Sequence, residues 1–206
     1  MKIEKALPNI YHARFSTQGE LAATFVRFQE YYESPQFRGK VFTLGQFRSW
    51  YQKEYGAWTY YSDWAGFNVP SYILDVFRSG LFDPLTPEEA YFLERFPASE
   101  EPYYIIGTYG ATVDTNTMRH EVAHGLYCTA SGYKEQVDKL LKVHRRSLKP
   151  LVKHLKCLGY HPDVWDDEAH AYLATDDGYL DDEGIKYNQA LKNDLERLFK
   201  VWYIKA

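Results

Sequence analysis

Two cysteines in 206 residues, Cys128 and Cys157, are too few for the disulfide framework of a small secreted domain. Two free thiols in a reducing compartment are expected instead. Long apolar runs are missing as well. None approaches the roughly eighteen residues that a membrane-spanning helix needs. The first eight residues, MKIEKALP, lack the apolar core of a signal peptide, so a cytoplasmic location is expected. Export by a route that needs no such signal stays open. Charge of one sign is not in excess: 24 Lys and Arg stand against 28 Asp and Glu. A net charge of −4 points to neither nucleic acid nor an anionic membrane surface. Repeats and low-complexity linkers are absent. What is present is ordinary for a globular chain, with 45% hydrophobic and 25% charged residues, which excludes disorder. Aromatic residues stand out at 17%, and they suit cores and clefts alike.

A chain of this length buries one real core, so residues 1–206 are read as a single domain. An aromatic-rich, mainly helical part covers 1–100, and a second part covers 101–206. Residues 1–15 are expected to be extended. Apolar residues at helical spacing predict helices over 17–32, over 44–54 behind an N-cap at Thr43, and over 71–79. Residues 57–70 read as a loop or short strands. Thr86-Pro87-Glu88-Glu89 is a strong helix start, for a helix running to about Phe96. Tyr103–Gly110 is the clearest strand. After a turn around Asp114, helices are predicted over 115–129, 133–146, 148–158, 162–174 and 186–203. The class is α+β, mostly helical with a small sheet.

One motif carries chemistry: His120-Glu121-Val122-Ala123-His124. Residues four apart on a helix share a face, so the two imidazoles are placed to bind one metal ion. Glu121 lies beside that face. Zinc lowers the pKa of a bound water to about 7, and a carboxylate within reach takes its proton. From the composition of the chain, chance supplies this pattern about 0.02 times. Met118, Val122 and Leu126 back the helix with an apolar stripe.

A catalytic zinc takes three protein ligands and keeps one position open. A metzincin pattern requires glycine and histidine where this chain has Tyr127 and Ala130, so that arrangement is excluded. Glu168 is the leading third ligand. On a helical wheel over 165–174, Asp166, Asp167 and His170 form a polar face. Glu168 is the one charged residue on the arc expected to be buried. A buried carboxylate needs a partner, and a metal is a good one. His144, on the apolar side of the 133–146 helix, is the alternative. The two cysteines read as core residues, with Cys128 one turn after His124.

The pair His120-Glu121-x-x-His124, followed by a helix bearing Glu168-x-x-Ala171, resembles the gluzincin-type zinc metallopeptidases over about residues 115–175. Gly125 after the second histidine fits the same group. The acidic or amide residue common four positions after the glutamate is here Tyr172. The resemblance implies a zincin-like fold, a Zn2+ cofactor, and a small sheet beside the HExxH helix. It also implies an edge strand that binds the substrate peptide, for which Tyr103–Thr108 is the candidate.

An oxyanion donor is also required. Tyr172, one turn past Glu168, is the first choice, with Tyr179, Tyr187 and His161 as alternatives. Residues 134–156 hold eight Lys or Arg, and residues 163–183 hold nine acids. These read as complementary solvated faces, or as a basic rim for an acidic partner. The expected function is a zinc hydrolase acting on peptide or protein, with Glu121 as general base and the aromatic N-terminal part as a wall or lid of the cleft. A zinc hydrolase of non-peptide amides or esters, and a peptidase-like binding module, are the other readings.

Overall fold

The computed structural model describes residues 1–111 and 115–205, so the turn expected around Asp114 lies outside the described residues. Strands β1 (Lys2–Leu7) and β2 (Ile10–Phe15) open the chain. Pro8 and Asn9 join them, with Asn9 at φ 59°, a residue pair that a type II turn favours. Thr17 starts α1 (Gln18–Glu33): its hydroxyl accepts the Glu20 N–H, while Glu20 accepts the Thr17 N–H. Thr43 and Gln46 repeat this reciprocal cap on α2 (Leu44–Tyr55). Residues 57–70 resolve into a single helical turn, α3 (Tyr60–Asp63), and strand β3 (Gly66–Pro70). Then come α4 (Ser71–Arg78), α5 (Pro87–Arg95) behind its cap Thr86, and β4 (Tyr104–Tyr109).

The rest is helical: α6 (Thr115–Thr129), α7 (Ser131–Val143), α8 (Lys149–Cys157), α9 (Trp165–Thr175), α10 (Tyr179–Asp182) and α11 (Gln189–Lys205). Helix α7 stops short of the predicted 146. A 3-10 turn, Arg145–Leu148, follows it, and Pro150 sits in the first turn of the next helix, where a missing N–H costs no intrahelical bond.

The molecule is α+β and 62% helical, with one mixed four-stranded sheet. The strand order is β1-β2-β4-β3, and β3 runs antiparallel to β4 with Gly66 opposite Thr108 and Pro70 opposite Tyr104. This corrects the expectation of an edge strand at Tyr103–Thr108. The most apolar strand takes an interior place, where its backbone pairs on both sides and its side chains are buried on both faces. It offers no free edge to a peptide.

The chain forms two compact units. The first comprises Met1–Lys5 and Tyr11–Val113. Its core is aromatic: Phe25 of α1 stacks on Phe67 of β3 with ring centroids 5.6 Å apart, and Phe28 meets Phe77 at 4.3 Å. The second comprises Ala6–Ile10 and Asp114–Ala206. In it α9 is central, packed against α6, α7, α8 and α11. Ile10 presses so closely on α6 at Gly125 that a Cβ there would lie 2.7 Å from Ile10 Cδ1. Among the described residues, no helix is long and apolar enough to cross a membrane.

Candidate metal centre

The predicted ligands meet within the second unit. His120 and His124 project from one face of α6, and Glu168 comes from the first turn of α9. The Nε2 atoms of the two histidines are 3.1 Å apart. Glu168 Oε2 is 3.9 Å from His120 Nε2, and Glu168 Oε1 is 3.7 Å from His124 Nε2. A tetrahedral zinc with bonds near 2.05 Å separates its ligand atoms by about 3.3 Å. The triangle therefore matches one small cation. Glu168 Oε2 is buried and has no hydrogen-bond partner, a costly state for a carboxylate. These three residues form the one His, Cys, Asp or Glu group among the described residues that is spaced to hold a metal.

Each histidine has its far nitrogen engaged. His124 Nδ1 is 2.9 Å from Asp167 Oδ1. His120 Nδ1 is 3.5 Å from the Thr175 hydroxyl, whose own proton goes to the Ala171 carbonyl. Both acceptors favour hydrogen on Nδ1, so in the neutral form of each imidazole it is Nε2, on the Glu168 side, that offers the lone pair. The site opens on one side, since the His120 side chain is 22% exposed while those of His124 and Glu168 are 3% exposed.

The electrostatics are those of a buried charge cluster. Burial pushes the Glu168 carboxyl up to about 8, and the charges of Asp167 and Glu121 add to this against the pull of His124. Burial holds the His120 imidazole well below its usual range, with His124 and His170 reinforcing it. Burial acts in the same direction on His124, but the Asp167 and Glu168 carboxylates outweigh it and raise that imidazole. Desolvation works against ionisation of Asp167, and the charge and N–H groups of His124, with those of His170, overcome it.

Tyr172 borders the site, its ring edge-on to His120 at 4.9 Å. Burial keeps its hydroxyl protonated, against a smaller opposing effect of the Tyr160 hydroxyl. Glu121 is half-buried, close enough for its charge to act on both His124 and Glu168. Of the alternative donors, Tyr179 bonds His154 at 2.9 Å, Tyr187 bonds Asp181, and His161 accepts the Asp163 N–H.

Several expectations need correcting. His144 is not on the apolar side of a helix: it follows the last residue of α7, half-buried, and is not in the ligand group. Cys157 is exposed rather than in the core. Cys128 is partly buried and outside the ligand group, its thiol pushed up to about 12 by burial. His170, assigned to a polar face, is fully buried, and Asp167, assigned to the same face, points at His124. The sequence carried one signal for Asp167, an acid adjacent to a candidate ligand, and the wheel masked it.

The basic 134–156 and acidic 163–183 segments are joined by a bidentate pair between Arg145 and Asp166. A groove of about 950 Å3 elsewhere in the second unit, floored by Leu126, Leu140, Leu198 and Trp202, shares no residue with the ligand group. Comparison with protein families, with curated proteins and with solved structures finds no match for this chain.

Proposed function

We propose that this chain is a zinc-dependent hydrolase, a metallopeptidase of gluzincin type with a zincin-like arrangement around α6 and α9. His120, His124 and Glu168 hold the Zn2+. The observation that carries the reading is the unpaired, buried Glu168 Oε2 beside the Nε2 atoms of two imidazoles. When bound, zinc polarises a substrate carbonyl and acidifies water. The residues of the chain supply the rest. His120, the most exposed ligand, marks the side from which a peptide enters. Glu121, one position past His120, takes the proton of the attacking water and delivers it to the leaving amine. Tyr172, whose hydroxyl burial keeps protonated, donates a hydrogen bond to the developing oxyanion.

The test is metal content followed by turnover. Purified protein should carry about one zinc per chain, and His120→Ala or His124→Ala should remove it. Glu168→Ala should weaken zinc by well over the ~10–100-fold typical of an outer-layer change, while His144→Ala should leave it in place. Glu121→Gln should keep zinc and melting temperature and lose at least about 10²-fold in peptide hydrolysis. A chain that takes up no zinc on reconstitution sinks the proposal. Loss of zinc in Glu121→Gln would make that residue structural. Cleavage of simple esters or amides with none of peptides would move the substrate class.

A further inference from the structure

A buried row of polar groups continues beyond the ligands. Tyr133 of α7 and His170 of α9 are both fully buried. The Tyr133 hydroxyl lies 2.8 Å from His170 Nε2. His170 Nδ1 lies 3.0 Å from the main-chain oxygen of Asp167 and 3.4 Å from its Oδ1. Both of those oxygens are acceptors, so His170 Nδ1 carries the hydrogen. Its Nε2 is then an acceptor, and Tyr133 donates to it. From the other side, His124 Nδ1 reaches the same Asp167 Oδ1 at 2.9 Å. One carboxylate oxygen thus lies within ion-pair distance of two imidazoles, from α6 and α9, although neither meets it at a hydrogen-bonding angle. The His170 ring is fixed in turn, with Tyr127 stacked on it at 5.2 Å and an interplanar angle of 21°.

We propose that Tyr133 and His170 are positioning residues of the metal centre: they fix Asp167, and through it the tautomer and angle at which His124 presents Nε2. This rests on the zinc reading above. A core that only needed filling would gain more from Phe and Leu, because buried polar pairs add little stability over apolar residues of the same shape. The hydroxyl of Tyr133 has a specific task. It acts with the two Asp167 oxygens to hold His170 in the Nδ1–H form, because the other tautomer turns a lone pair toward both of those oxygens and leaves the Tyr133 hydroxyl facing an N–H.

The test uses Tyr133→Phe, His170→Ala and His170→Asn. Zinc affinity is read by chelator competition, and the low-field Nδ1–H proton of His124 by NMR of the metal-free protein. Tyr133→Phe should lower zinc affinity about 3–10-fold, one layer beyond the ~10–100-fold of a direct partner of a ligand. His170→Ala should lower it by about 10-fold or more. His170→Asn should recover most of that loss, since its amide N–H can stand in for Nδ1–H. The His124 proton should shift or broaden in Tyr133→Phe. Unchanged affinity and an unchanged proton in folded variants overturn the proposal, as does a lower melting temperature with wild-type affinity. His170→Asn no better than His170→Ala rules out the donor role. Wild-type protein that binds no zinc overturns the zinc reading and this one together. Wild type that binds zinc, with variants that bind equally, overturns this one alone.

Discussion

Glu168 and Glu30 are both carboxyls raised by desolvation, and they differ in what faces them. Glu30 of α1 accepts the Tyr60 hydroxyl at 2.8 Å and a bond from Ser34, which only partly offset burial, and its carboxyl is pushed up to about 7. It is a neutral acid satisfied by neutral donors, whereas Glu168 Oε2 has none. The consequence for stability has a definite sign. Between pH 4.5 and 7 the folded chain keeps a proton on Glu30 that the unfolded chain has lost. Stability from this group is therefore full below about 4.5, falls as pH rises to about 7, and is flat above. Glu30→Gln keeps the acceptor for Tyr60 and removes the charge. Denaturant unfolding should show the variant more stable than wild type by about 1–3 kcal/mol at pH 8 and by nearly nothing at pH 4. A constant difference across that range would mean that Glu30 does not titrate there.

Helix α5 shows how one side chain can serve an element and its neighbour. Glu89 closes the cap with Thr86 and also receives Arg27 of α1, whose Nε lies 2.6 Å from Glu89 Oε1. Arg27 also donates to the carbonyls of Phe82 and Pro84. Removing Glu89 strands a buried guanidinium, so Glu89→Ala should cost about 3–5 kcal/mol in chemical unfolding. Arg27→Leu with Glu89→Leu should cost clearly less than the two single changes summed. Equal costs would show that the pair is not coupled. The contact of α1 with β4 depends on a missing side chain. A Cβ at Gly107 would lie 2.6 Å from Phe25 Cε2 and 2.8 Å from Leu21 Cδ1. Phe25 cannot swing away, because Phe15, Phe67 and Phe92 surround it. Gly107→Ala should therefore destabilise by about 1–3 kcal/mol, with part restored by Phe25→Leu. Gly125→Ala should cost less: its shortest contact, 2.7 Å, is with the Cδ1 end of Ile10, the Cγ1 and Cγ2 contacts are 3.1 Å, and the change gains about 1 kcal/mol of helix propensity.

For the whole molecule, all three proposed ligands belong to the second unit, and they tie α6 to α9. A ligand that binds only the folded form stabilises it by mass action, about 2.7 kcal/mol at one hundred times its dissociation constant. Zinc should accordingly slow amide hydrogen exchange in α6 and α9 by roughly 100-fold at that concentration. The same addition to His124→Ala should leave those amides unchanged. Protection that appears equally in the variant would mean the metal binds elsewhere.

Much of this protein follows from neighbours in the chain. Caps at Thr17, Thr43 and Thr86 are local hydrogen bonds between residues three apart, and the last two start helices where the residue types predict them. The face shared by His120 and His124 follows from helical spacing alone, and the burial of Glu168 follows from the apolar arc around it. The rest depends on what packs where. A wheel assumes one buried side, but four helices pack against α9, so part of its polar arc is covered too: Asp167 faces His124 and His170 bonds Tyr133, while Asp166 stays partly exposed. The interior place of β4 is set by which strands pair with it, β2 on one side and β3 on the other, far from it in sequence. The sequence by itself thus determined the shared face of the histidine pair and the buried acid, because spacing within a helix is fixed by its geometry. Only the tertiary structure decided the groups that hold them in place, because those hydrogen bonds join helices whose contacts no local pattern encodes.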